Sequence, residues 1–158
     1  MKKIAIALIM SICLMMLGGC TGGKNSEPMT AKRFKTIMEN KGFDVSDNTE
    51  SANGDNSYQD IYVAVDENKY SFEYYFMKDI ASAKSVYSYA ADNLDANYRD
   101  NSSAVIVANT TENNGKYEVS ASDYYCVVCQ NENTVLYLTA YSSYKDEAKQ
   151  ILKELGYK

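Results

Sequence analysis

The chain has no histidine, no tryptophan and a single proline, Pro28, in 158 residues. Without histidine there is no Ser-His or Cys-His nucleophile pair and no imidazole ligand for a metal. Glycine is sparse, at eight residues, and none falls in a phosphate-cradling loop or a GxSxG elbow. Basic residues are outnumbered, 16 Lys and Arg against 21 Asp and Glu, and they form no long run. Nucleic-acid binding relies on Lys and Arg to neutralise phosphates, so nucleic acid is not an expected partner. What the chain has in quantity is tyrosine, 15 residues, within the 46% hydrophobic and 23% charged composition of an ordinary globular protein. At this length one domain is expected.

The first twenty residues carry an address. Lys2 and Lys3 precede an apolar run at positions 4–17, broken only by Ser11. Fourteen residues suit the core of a signal peptide and are too few to span a bilayer as a helix. The run ends in Leu17-Gly18-Gly19-Cys20, small residues followed directly by a cysteine. This segment resembles the lipobox of bacterial lipoproteins. The resemblance implies cleavage before Cys20 and a diacylglyceryl group on its sulfur, and two or more acyl chains, palmitate among them, anchor a protein stably where one does not. It implies residence on the outer face of the cytoplasmic membrane, or in the outer membrane of a Gram-negative host. Residues 1–19 are then the signal peptide, 20–28 a lipidated Gly-, Asn- and Ser-bearing tether, and 29–158 an extracytoplasmic domain. The processed chain keeps 14 basic and 21 acidic residues, a net charge of −7. Anionic lipid would not attract it, which leaves anchoring to the lipid on Cys20.

Of four cysteines, Cys13 leaves with the signal and Cys20 is lipidated, so Cys126 and Cys129 remain. Their CxxC spacing invites a redox reading, but Tyr124-Tyr125-Cys126-Val127-Val128-Cys129 is β-rich. Positions i and i+3 of a strand face opposite sides, about 10 Å apart, too far for an unstrained disulfide. Two inert thiols are expected. The stretch 46–59 is polar and aperiodic, with Asp44, Asp47, Glu50, Asp55 and Asp60 in or beside it. It lacks the order of a calcium loop and reads as a solvated loop. No metal and no cofactor is expected.

The remaining pattern predicts an α+β fold, an antiparallel sheet of about six or seven strands with three helices packed on it. Helices are expected near 30–41, capped by Thr30 and stopped by Gly42; near 80–97, capped by Asp79; and near 144–155, with Ser143 and Asp146 as a capping box and Gly156 as the stop. Strands are expected around Ile61–Val65, Tyr70–Phe76, Val105–Ala108, Tyr117–Ala121, Tyr124–Cys129 and Thr134–Tyr141, with Gln130-Asn131-Glu132-Asn133 turning the last hairpin. The helix ends Ile37-Met38-x-x-x-Gly42-Phe43 and Ile151-Leu152-x-x-x-Gly156-Tyr157 share a design in which glycine takes the left-handed position and the aromatic folds back.

Function is expected from surface, not from chemistry. The last hairpin is uncharged on both faces, whereas a strand wetted on one side alternates apolar with polar residues. With Leu136 and Leu138 beneath the helices, Tyr125, Val127, Val135, Tyr137 and Tyr141 form the candidate interaction surface, unless another segment covers them. Tyrosine offers large amphipathic contact area at low entropic cost. The sequence therefore reads as a non-catalytic binding module on the membrane, with an envelope protein or a wall glycan as partner. It resembles the small surface lipoproteins of Gram-positive bacteria that have no assigned activity. An inhibitor or accessory subunit of an extracellular enzyme is the alternative, and a carboxylate-based wall hydrolase a weaker one.

Overall fold

The computed structural model describes residues 28–66 and 68–157; the signal segment, Cys20 and most of the tether lie outside the described residues, as does Glu67. The described chain is α+β. Seven strands, β1 (Asp44–Asp47), β2 (Tyr58–Asp66), β3 (Tyr70–Met77), β4 (Val105–Thr110), β5 (Asn114–Ser120), β6 (Tyr124–Asn131) and β7 (Thr134–Tyr141), form one antiparallel sheet. Their order is β1-β2-β3-β7-β6-β5-β4, so the last hairpin lies at the centre while β1 and β4 are the edges. A central strand is covered on both sides, which is why β6 and β7 carry apolar residues on both faces. Among the described residues no helix is long and apolar enough to cross a membrane.

The helices α1 (Ala31–Asn40), α2 (Ile80–Tyr98) and α3 (Lys145–Glu154) divide between the two faces. Helices α1 and α3 bring Phe34, Met38, Ala148, Ile151 and Leu152 onto one face, against Phe72, Tyr74, Val127, Leu136 and Leu138. Helix α2 lays Ala83, Tyr87, Ala91 and Leu94 on the other, against Val119, Cys126, Val128 and Val135. Each large apolar side chain fully buried in these layers contributes about 1.5–3 kcal/mol. Aromatic rings knit the first layer: Phe34 stacks on Tyr74 at 4.8 Å, and the Tyr74 hydroxyl donates to the Met29 carbonyl.

Local signals fix the helix ends. Thr30 Oγ1 accepts from the Arg33 amide at 3.3 Å, and Asp79 Oδ1 accepts from the Ser82 amide at 2.7 Å. Gly42 and Gly156 sit at φ 85° and 87°. The Phe43 amide then donates to Met38 O at 3.1 Å and the Tyr157 amide to Leu152 O at 2.9 Å, closing both helices in the same way and burying both aromatics.

Three expectations are corrected. The third helix has no capping box: its N-cap is Tyr144, without a side-chain bond, because a 3₁₀ turn at Ser142–Tyr144 leads into it. The stretch 46–59 is not wholly loop. Its start belongs to β1, which pairs Val45 with Ala64 and Asp47 with Tyr62, and Thr49–Ala52 forms a 3₁₀ turn. The last hairpin turns on two residues, Glu132 and Asn133, not four, since Asn131 pairs with Thr134.

Candidate functional site

The expected tyrosine surface does not assemble as one face. Tyr125 and Val127 are fully buried on the α1–α3 side, whereas Val135 and Tyr137 lie on the α2 side, Val135 buried and Tyr137 partly so. The cause is register. An even-numbered turn pairs odd positions of one strand with even positions of the next, as in Tyr125–Ala140 and Val127–Leu138. Odd positions of β6 therefore share a face with even positions of β7. Helix α2 supplies the cover that Val135 and Tyr137 need. Tyr141 alone of the five is exposed, at 45%.

Its cross-strand partner is Tyr124, 41% exposed, which lies outside the expected five. Tyr124 opens β6 and Tyr141 closes β7, and their rings stack at 5.5 Å with 27° between planes. Cross-strand aromatic pairs of this kind stabilise a sheet edge-on, yet here one side of the stack stays in water. Beside the pair lies a depression of about 160 Å³ lined by Val65, Asp66, Lys69, Tyr70, Ser71 and Thr139 as well as the two tyrosines. Helix α2 packs on β6, β7, β3 and β5. Toward β1 the same face carries Ser46, Val63, Val65, Ser71 and Glu73, none of them buried. The site is thus an uncovered end of the sheet, with paired tyrosines at its margin and mixed small, aliphatic and charged side chains across it. Pockets that engulf small ligands run to about 300–1,000 Å³. A surface this shallow suits an extended or macromolecular partner.

The chemistry-bearing groups are otherwise placed. Cys126 lies in the α2 layer and Cys129 in the α1–α3 layer, both buried and unbonded, as strand geometry requires. Burial raises both thiols, Cys129 to about 12, so neither is a thiolate at neutral pH. Asp47 accepts from the Thr49 amide at 3.0 Å and its hydroxyl at 2.6 Å, and Asp55 accepts from the Ser57 amide at 2.9 Å. These bonds hold both carboxyls below their ordinary value. Asp60 moves the other way, raised by burial and then by the Asp47 charge. Among the described residues no three His, Cys, Asp or Glu side chains cluster as metal ligands do.

One motif was wrongly read as absent from the sequence. Positions 142–145 spell S-x-x-K, the spacing that sets a serine nucleophile one helical turn before a lysine. The structure gives the two different partners: Ser142 Oγ donates to the Ser122 carbonyl at 2.7 Å, and Lys145 Nζ donates to Ser120 Oγ at 2.8 Å. Compared with protein-family models, with curated proteins and with solved structures, the chain matches none.

Proposed function

We propose that this chain is a lipid-anchored, extracytoplasmic binding module without catalytic activity. Cys20 carries the anchor, and the open end of the sheet around Tyr124 and Tyr141 is the partner surface. The observation that carries the second half is the half-exposed tyrosine stack beside uncovered sheet. Two rings already held parallel lose little entropy on binding and present flat amphipathic area. A partner of the cell envelope, a protein or the sugar rings of the wall, would lie along the face instead of entering it. The lipobox supports the placement, because a tethered module meets partners only at the membrane.

Crosslinking in intact cells, followed by mass spectrometry of the captured species, tests the reading. Tyr124→Ala with Tyr141→Ala should abolish most partner capture. Loss of the stacked pair should cost about 1 kcal/mol, so the melting temperature should fall by only a few degrees. Undiminished capture by the folded double variant would refute the site.

A further inference from the structure

The edge strand β4 and the lysines of α3 form a second surface, on the other side of the sheet. Edge strands expose unpaired backbone groups, and proteins commonly protect them with charge, proline or extreme shortness. Edge β1 follows that rule, with four residues and an aspartate at each end. Edge β4 does not. Val105-Ile106-Val107-Ala108-Asn109-Thr110 is six residues long without a charge, and Val105 and Val107 are 62% and 56% exposed.

Cross-strand pairing fixes what lies beside those valines. Val105 pairs with Ser120, Val107 with Glu118 and Asn109 with Lys116. Those three β5 residues pair in turn with Tyr125, Val127 and Cys129 of the α1–α3 face. Helix α3 follows this column. Lys145 Nζ bonds Ser120 Oγ at 2.8 Å, Lys149 Nζ meets Glu118 Oε1 at 2.8 Å, and Lys153 joins Lys116 around a depression of about 270 Å³. Lysines at i, i+4 and i+8 rise about 6 Å apart along a helix. Alternate residues of a strand rise about 6.6–6.8 Å apart. A row of lysines thus keeps step with a strand for three repeats. Of the four ammonium groups here, Lys116 and Lys149 meet one carboxylate, Glu118, Lys145 bonds a hydroxyl, and Lys153 makes no ion pair among the described residues.

We propose that β4 accepts an added strand from an acidic partner. An extended segment with Asp or Glu at alternate positions would pair its backbone with the free edge of β4. Its carboxylates would then rise toward Lys145, Lys149 and Lys153, and its remaining contacts on that face would fall on Val105 and Val107. This is addition of a strand to a sheet edge, with the lysine row supplying side-chain specificity. A second copy of the chain fits worse: its β4 brings no acid, and a two-fold normal to the sheet would place its own lysine row on the same face. The protein's net negative charge is no barrier, because screening confines the field to about 8–10 Å at physiological salt. This surface is independent of the tyrosine pair.

The test uses the purified full-length chain in non-ionic detergent and two synthetic ten-residue peptides of one composition. One alternates Glu with Thr and Val; the other groups its Glu residues so that they fall on both faces. Anisotropy titration should show the alternating peptide binding more tightly, with affinity falling as salt rises. Hydrogen exchange should show residues 105–110 protected when that peptide is bound. Lys145→Glu with Lys153→Glu should weaken binding about tenfold, through like-charge juxtaposition, with a modest fall in melting temperature from the lost Lys145–Ser120 bond. The single exposed change Lys153→Glu should move affinity in the same direction. Equal binding of both peptides, β4 amides left unprotected, or no binding at millimolar peptide would overturn the proposal. So would concentration-dependent protection of β4 without peptide, which would assign the edge to a second copy.

Discussion

Glu118 shows what a residue's position in the sheet does to its chemistry. Its side chain is only 11% exposed, with Lys116 Nζ at 3.0 Å and Lys149 Nζ at 2.8 Å. Burial works to raise the carboxyl, but the hydrogen bonds and charges of the two lysines outweigh it and hold the group below its ordinary value. A carboxyl whose folded pKa is depressed adds stability that is complete above its unfolded pKa, about 4.3. That stability disappears as pH falls through the folded value. Glu118→Gln should therefore cost about 1–3 kcal/mol at pH 7, by leaving two lysines facing each other over a neutral amide. The gap to the native chain should narrow as urea unfolding is repeated from pH 5 down to pH 3. A gap constant across that range would mean that packing, not charge, is what Glu118 provides. The same strand-centre burial explains the thiols. Cys126 and Cys129 were readable as inert from spacing and β-propensity alone, because alternation in a strand needs no tertiary information.

At the level of elements, the periodic helices, most of their caps and the consecutive hairpins were legible, while the edge strand β1, the cap of α3 and the register of the last hairpin were not. Thr30, Asp79, Gly42 and Gly156 act where the sequence places them, since each satisfies backbone groups within four residues of itself. Strand β1 escaped because Asp44-Val45-Ser46-Asp47 has one apolar residue, and it becomes a strand only by pairing with β2. The tyrosine surface was misdrawn for a different reason: each strand's alternation was right, but odd positions of both strands were grouped together, whereas a turn of two or of four residues alike pairs odd positions of one strand with even positions of the next. Packing of α2 on β5 offers a measurable case. A Cβ built on Gly115 would stand 2.5 Å from Tyr87 Cζ, and Tyr87 is a buried ring of α2 whose hydroxyl lies 3.4 Å from Thr110 Oγ1. Gly115 keeps that notch open. Gly115→Ala should destabilise the fold by about 1–3 kcal/mol, as overpacking does. Gly115→Ala combined with Tyr87→Phe should not recover it, because the clash involves ring carbons. Thermal melts of the single and double variants would show this, and full recovery in the double variant would place the conflict at the hydroxyl instead.

For the whole molecule, the proposed anchor would decide which surfaces are available to partners. If Cys20 holds the lipid, only eight residues, 21–28, separate the membrane from Met29, which lies buried against α1 and β3. A random-coil chain of eight residues spans about 14–17 Å on average. The domain would then be held within roughly its own radius of gyration of the bilayer, about 14 Å for 130 residues. Both surfaces discussed, the tyrosine pair and the β4 edge, would be presented at membrane level and not far into the wall. The arrangement depends on one thiol. On that proposal, Cys20→Ser removes the thiol that accepts the diacylglyceryl chain, so the precursor should accumulate with its signal attached and no mature lipoprotein should form. Metabolic labelling with a palmitate analogue should mark the native chain and leave the variant unlabelled, while gel mobility separates precursor from mature protein. If the Cys20→Ser chain is processed normally and stays in the membrane fraction, the lipid anchor is wrong. The two surfaces would then have to be sought at a distance from the bilayer that the tether no longer sets.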